Sequence, residues 1–276
     1  MKTFKTVAVM MLLAVMVICA TACSQAPANT VFNADDMMGK KIGVQQGTTG
    51  DIYVTGDYTN DEKEEGDENW LENPAEVVKY KNGNEAVLAL KQGKVDCVVI
   101  DSEPAKEYVK QNPDLKILDD PFALEEYAIC FKKGSALTAE FNTALAALKA
   151  DGTFDSIVNN FIGDNAGKTP YVTPEGTTYT KGKLTMATNA FFPPYEFYKD
   201  NKIVGIDASV AQAICDKLGY ELEIKDMSFD AILTAVETGQ ASFGMAGMTV
   251  TEKRLESVDF SDSYTTATQV IIVRAK

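Results

Sequence analysis

Lys94–Ile100 reads KVDCVVI, and Asp101 follows it directly. A near-continuous apolar run of this length, with Ser-Glu-Pro and a helix after it, predicts a strand covered on both faces, as in a parallel sheet under helices. The rest of the chain alternates in the same way. Gly39–Gln46 (GKKIGVQQ), Val77–Tyr80, Leu115–Leu118, Tyr127–Lys132, Leu184–Ala187, Tyr220–Ile224 and Thr268–Val273 read as strands. Asn84–Gln92, Leu137–Ala150, Gly152–Phe161, Ile206–Leu218 and Phe229–Thr238 carry apolar residues at helical spacing. Alternating strands and helices predict an α/β fold. With 276 residues, 45% hydrophobic and 24% charged, the chain can fill two modest cores.

In Ala241–Arg254 (ASFGMAGMTVTEKR) a strand end runs into Gly247-Met248-Thr249-Val250-Thr251, with Arg254 three residues beyond. Thr251 reads as a helix N-cap with free N–H groups behind it. A hydroxyl, open N–H groups and a guanidinium suit a carboxylate, because a planar fork of donors grips both oxygens. Standing alone, an arginine near a helix start is a solvated surface charge. Gly47-Thr48-Thr49-Gly50 offers N–H groups and two hydroxyls at a strand-to-helix turn, which also fits an anion. Asp101 stands at a strand's carboxyl end, where open α/β sheets bind ligands. Its other reading is the N-cap of the next helix.

Thr185–Phe197 (TMATNAFFPPYEF), Gly205–Leu218 (GIDASVAQAICDKL), Ala241–Arg254 and Asp259–Tyr264 (DFSDSY) occur together in a fixed order. In motif, order and spacing they resemble the polar amino-acid-binding proteins of ABC importers. The resemblance implies a two-lobed periplasmic binding protein type II fold. Each lobe would be a mixed, mainly parallel sheet flanked by helices, with a hinge between the lobes. It implies a free polar amino acid as ligand, a permease with its ATPase as partners, and no cofactor. Arg254 and the backbone and hydroxyl of Thr249 would take the ligand carboxylate, approached by Thr48 and Thr49 from the second lobe. Asp101, the Gly247 carbonyl and the Thr249 hydroxyl would take its ammonium group, and Phe192 and Phe229 would sandwich the side chain. Asn189 stands where family members that bind cationic or amide side chains often carry an aspartate. A neutral residue there disfavours lysine, arginine and ornithine, and the expected ligand is polar and uncharged, such as glutamine or cystine.

The resemblance spans Met38–Lys276, but with its halves exchanged. In the family the block that begins at Leu184 comes first and the block near Gly39 second. Here Gly163–Lys183, rich in glycine, proline and threonine, reads as a linker joining them. The chain therefore resembles a circular permutant. Its expected organisation is a signal peptide over 1–22, an anchor and tether over 23–37, lobe two over 38–122, and lobe one over 123–276 with the linker 163–183 inside it. One covalent crossing would remain near Asp119–Glu126. The second hinge would be held by hydrogen bonds between Val270–Val273 and the segment before Gly39. A monomer is expected; a truncated tandem and a domain-swapped pair are the rivals.

Lys2 and Lys5 precede the apolar run Val7–Ile18, then Ala20-Thr21-Ala22 and Cys23, the layout of a secretory signal peptide. Cys23 in that place resembles the lipidated cysteine of a bacterial lipoprotein box, although Ala20 replaces the usual leucine and ordinary secretion is the alternative. The expected address is extracytoplasmic, anchored by lipid to the cell membrane. A formal charge of −14 argues against nucleic acid or an anionic membrane surface as partner. The chain has no histidine, which removes the commonest general base and metal ligand. Cys97, Cys130 and Cys215 sit in apolar patterns and read as buried thiols rather than a metal site. Asp57–Glu72 reads as an acidic surface loop without the ligand order of a calcium loop. An enzyme on this fold, of the dehydratase type, would have only Asp101 or Glu196 as its acid or base. A sensory module without transport is the other rival class.

Overall fold

The computed structural model describes residues 26–55, 76–119, 121, 123–164 and 166–276. The signal-peptide reading, Cys23 and the whole acidic loop 57–72 lie outside the described residues. In chain order the elements are β1 (Lys41–Gln45), α1 (Thr49–Thr55), β2 (Glu76–Tyr80), α2 (Gly83–Lys91), β3 (Cys97–Asp101), α3 (Ser102–Gln111) and β4 (Leu115–Ile117). Then come β5 (Ala123–Tyr127), β6 (Cys130–Lys132), α4 (Leu137–Ala150), α5 (Thr153–Asn159), β7 (Lys183–Thr188), β8 (Phe191–Phe192), β9 (Glu196–Lys199) and β10 (Lys202–Val204). The chain closes with α6 (Ile206–Leu218), β11 (Glu221–Asp226), α7 (Ile232–Glu237), β12 (Phe243–Gly244), α8 (Glu252–Leu255), β13 (Val258–Phe260) and β14 (Thr265–Arg274).

Two main sheets form two lobes. One has the order β2-β1-β3-β14-β4 with β5 paired to β14, and the other the order β11-β7-β12-β6-β13. In the first, β2, β1 and β3 run parallel and β14 enters antiparallel to β3 and β4. In the second, β11, β7 and β12 are parallel and β6 is antiparallel to its neighbours. The apolar run of β3 splits as its alternation requires: Cys97 and Val99 join one buried cluster, Val98 and Ile100 another. The lobes are thus mixed, mainly parallel sheets under helices.

The connection between the lobes differs from the expectation in two ways. First, the chain crosses twice. β5 leads from the first lobe into β6 of the second, and β14 returns beside it, with Tyr127 opposite Thr265 and Ala123 opposite Gln269. Second, Val270–Val273 pair with β3 and β4 and not with the segment before Gly39, so this end of the chain belongs to the first sheet. The boundary that assigned all of 123–276 to one lobe is corrected accordingly. The physical reason is length: ten residues of β14 are enough to span the hinge and still reach a buried central position. The segment before Gly39 is held elsewhere, through Asn29 N–H to the Lys276 carbonyl (2.7 Å) and Arg274 Nε to the Pro27 carbonyl (2.7 Å).

The linker 163–183 lies against α6. Tyr171 and Tyr179 donate their hydroxyls to the two carboxylate oxygens of Asp216, each at 2.9 Å, and Gln212 donates to the same carboxylate at 2.7 Å. Cys97, Cys130 and Cys215 are buried free thiols, as their apolar surroundings implied.

Candidate functional site

Strand ends and turns from both lobes meet at a small cavity. Its lining comprises Gln45, Thr48, Thr49 and Asp101 from the first lobe, and Asn189, Phe192, Glu196, Phe229, Gly247, Thr249 and Arg254 from the second. The space between these residues measures about 290 Å³, open solvent at its mouth included. All nine residues singled out in the sequence for the ligand line it: Arg254, Thr249, Gly247, Asp101, Thr49, Thr48, Phe192, Phe229 and Asn189. The topology explains why. Asp101 ends β3, Gln45 ends β1 and Asn189 follows β7, so each sits beyond the carboxyl end of a parallel strand, where successive peptide dipoles and turns face outward.

Arg254 is 5% exposed, far from the solvated surface charge that its helix position suggests in isolation. Thr251 caps α8 by accepting from Arg254 N–H at 3.2 Å, which fixes where the side chain leaves the backbone. Its Nη1 donates to the Thr249 carbonyl (2.6 Å) and its Nη2 to the Gly47 carbonyl (3.0 Å), while the guanidinium carbon lies 5.4 Å from the centre of the Phe229 ring. Burial pulls the guanidinium below its ordinary value, opposed chiefly by the charge of Glu125. A side chain locked by two carbonyls and an aromatic face is preorganised to present its donors.

Asp101 supplies the opposite charge. Its Oδ1 accepts from the Tyr127 hydroxyl. Burial and then the neighbouring Glu125 carboxylate push its pKa well above the ordinary carboxylate range, with the Tyr127 hydrogen bond pulling the other way. Glu125 Oε2 accepts from Gln269 Nε2 (3.0 Å) and from the Thr249 hydroxyl (3.1 Å). The Thr249 proton is therefore committed to Glu125, and its oxygen faces a ligand as an acceptor. That geometry suits an ammonium group rather than a carboxylate. Gln269 Nε2 also reaches the Thr49 hydroxyl at 3.3 Å. Thr49 opens α1, where its N–H has no intrahelical acceptor, and Thr48 turns its hydroxyl to the Gln45 carbonyl (2.8 Å).

The remaining wall is made of amides and aromatic rings beside the buried carboxyl of Glu196. Asn189 donates to the Met227 carbonyl (2.7 Å) and accepts from Gln45 Nε2 (2.9 Å). Phe192 stacks on Tyr195 and packs against Gly247, whose φ of +53° places it in the left-handed region. Gln45, Glu125, Gln269 and Tyr127 were not singled out in the sequence. The strand-end rule that identifies Asp101 applies equally to Gln45. The others lie on β5 and β14, and only the pairing of these two strands brings them to the cavity.

The cleft is closed in this structure. Besides Arg254 to Gly47 and Gln45 to Asn189, Gln46 Nε2 donates to Asp230 Oδ2 (3.0 Å) and the Tyr108 hydroxyl to the Phe191 carbonyl (2.7 Å), all between lobes. No helix among the described residues is long and apolar enough to cross a membrane.

Residues 184–276 match the model of the bacterial extracellular solute-binding proteins, family 3. The arginine-binding extracellular protein ArtP of Bacillus subtilis is 41% identical over 97 residues, 35% of this chain and 38% of its own length. The putative ABC transporter arginine-binding protein 2 of Escherichia coli is 30% identical over 136 residues, 47% of this chain and 50% of its own length. The glutamine-binding protein GlnH of B. subtilis is 36% identical over 89 residues, 32% of this chain and 33% of its own length. A solved structure of an ancestral arginine-binding protein bound to arginine is 46% identical, covering 31% of this chain and 38% of its own, with a TM-score of 0.30. The chain thus matches between a third and a half of the length of these relatives.

Proposed function

We propose that the whole chain, of which residues 184–276 match the model of the bacterial extracellular solute-binding proteins of family 3, captures a free polar amino acid in its closed cleft and hands it to an ABC permease. The observation that carries this reading is the pairing of opposite charges on one enclosed cavity: Arg254 from one lobe and Asp101 from the other. A zwitterion needs that pair. Its carboxylate meets the Arg254 fork and the Thr49 N–H. Its ammonium group meets Asp101, the Thr249 hydroxyl oxygen and the Gly247 carbonyl. Desolvation on closure strengthens both ends and makes the loss of either partner costly, about 2–5 kcal/mol. A ligand gripped from both lobes favours the closed state, and the closed state is what a permease reads.

The side-chain end is built from the amides of Asn189 and Gln45 between Phe192 and Phe229. A neutral Asn189 favours an uncharged polar side chain such as glutamine. The relatives' names, arginine-, histidine- and glutamine-binding, support the amino-acid class. The address we propose is extracytoplasmic, with Cys23 as the lipid anchor, and the unit is a monomer. The partial cover of the relatives supports a permuted order, because an alignment that follows both chains can take only one block at a time. We read the chain as a binder rather than a catalyst, a reading supported by relatives that are named as binding proteins.

The test is a thermal-shift panel of the common amino acids with cystine and ornithine, on protein purified from residue 24 onward. A large shift with one or two polar amino acids, abolished by Arg254→Ala and by Asp101→Ala, is the expected result. A folded protein that shifts with none of them would remove the carboxylate-clamp role of Arg254.

A further inference from the structure

Glu196 and Asp207 are both 0% exposed. Glu196 opens β9 and lines the cavity; Asp207 lies in the first turn of α6, behind it. Asp207 Oδ2 accepts from the Gly247 N–H at 2.8 Å and from the Tyr264 hydroxyl at 2.9 Å. Asp207 Oδ1 and both oxygens of Glu196 meet no other donor among the described residues, and the two carboxyl groups lie within hydrogen-bonding reach of each other. Carboxylates only accept, so two of them can meet in a dry interior when one keeps its proton and donates it to the other.

We propose that Glu196 and Asp207 hold one proton between them, and that this shared proton fixes the Gly247–Thr249 turn in the position that receives the ligand's ammonium group. Glu196 is then a positioning residue for the clamp, and binding weakens when the proton leaves. The ligand half of this inference rests on the binding function above; the proton half does not.

The turn is well placed to respond. Gly247 sits at φ +53°, and a Cβ there would come within 2.7 Å of the Phe192 ring, so the turn has little room to shift without moving the cavity wall. Burial raises the Glu196 pKa well above the ordinary range, with the charge of Asp207 next and those of Asp101 and Asp226 behind it. Burial also pushes Asp207 up to about 6, restrained by its bonds from Gly247, Tyr264 and Glu196. The titratable groups facing the pair are therefore Asp101 from β3, Asp226 from β11, Tyr195 just before β9, Tyr108 from α3 and Tyr264 before β14. When the shared proton leaves, two buried negative charges face each other and drive Asp207 away from the Gly247 N–H.

Glu196→Gln tests this, because an amide donates to Asp207 at every pH and carries no charge. The first readout is the Gly247 amide signal of the ligand-free, ¹⁵N-labelled protein between pH 5 and 8.5. In the wild type it should titrate above the ordinary carboxylate range, and in E196Q that inflection should vanish. The second is glutamine affinity over the same range. The wild-type dissociation constant should weaken towards tenfold per pH unit above the inflection, and that of E196Q should stay within about twofold. Asp207→Asn gives an independent check, since its amide donates to an ionised Glu196 while its carbonyl still accepts from Gly247. It too should flatten the profile. A Gly247 signal that titrates alike in wild type and variants overturns the proposal. If Gly247 titrates as expected while no amino acid binds at any pH, the shared proton stands and the binding function falls.

Discussion

Arg254 Nη2 donates to the carbonyl of Gly47, 3.0 Å away on the other lobe. The guanidinium thus joins the two halves of the cleft while its neighbouring nitrogen is held by Thr249. Replacing it by lysine keeps the charge and removes the planar fork. We expect Arg254→Lys and Arg254→Ala both to weaken glutamine binding by about 30-fold or more in titration calorimetry, in line with breaking a desolvated ion pair. Equal affinity in Arg254→Lys would show that a point charge suffices and that the fork is idle.

On the proposed binding function, Asp101 sets the acid limit of binding. It must be ionised to pair with an ammonium group, and burial beside Glu125 raises its pKa. The sign follows: affinity is full above the raised pKa and falls as pH drops through it, earlier than an ordinary aspartate would allow. Affinity measured from pH 8 down to pH 4 should fall on the acid side in the wild type. In Asp101→Asn it should be weak throughout and lack that fall. An acid limb that survives in Asp101→Asn would assign it to another group.

How much of this was visible beforehand differs between residues for a physical reason. Asp101, Asn189 and Arg254 lie next to strand ends or a helix cap, so local pattern alone places them in turns where strands deliver ligand groups. Glu125 and Gln269 lie in β5 and β14, whose pairing joins residues more than a hundred positions apart, and nothing local marks them. The same long-range pairing explains the misplaced boundary at the chain's end. Thr268–Val273 is readable as a strand, but its sheet is chosen by the partners it reaches after the hinge.

On the proposed binding function, Asn189 sets the charge of the side chain the cavity accepts. Its amide hydrogen bonds to Met227 and Gln45 put no charge at this point of the wall. Asn189→Asp puts a carboxylate there, and the ratio of arginine to glutamine affinity should rise about tenfold or more, at some cost in stability from facing the Met227 carbonyl. Wild-type protein that already prefers arginine over glutamine would refute this role of Asn189.

The linker contributes to stability without touching the cavity. Asp216 collects donors from Tyr171, Tyr179 and Gln212. Asp216→Ala should lower unfolding free energy by about 1–2 kcal/mol in urea, given the worth of bonds to a partly exposed carboxylate. Amino-acid affinity should be unchanged, and a change in affinity would tie the linker to closure.

The last prediction concerns chain order. Asn29 N–H donates to the Lys276 carbonyl at 2.7 Å, so the two ends of the described chain are adjacent, and Gly176 lies in an exposed turn of the linker. Joining Lys276 to Asn29 through a short glycine-serine segment and opening the chain at Gly176–Thr177 would give an order in which the block at Leu184 comes first. Both hinge strands, both sheets and every residue of the cavity are intact in that chain, since cut and joint fall at surface positions. We expect it to fold as a monomer, to melt within a few degrees of the original, and to rank amino acids identically. Loss of binding with retained folding would mean that the order of the blocks itself shapes closure, through strain that the adjacent ends do not reveal.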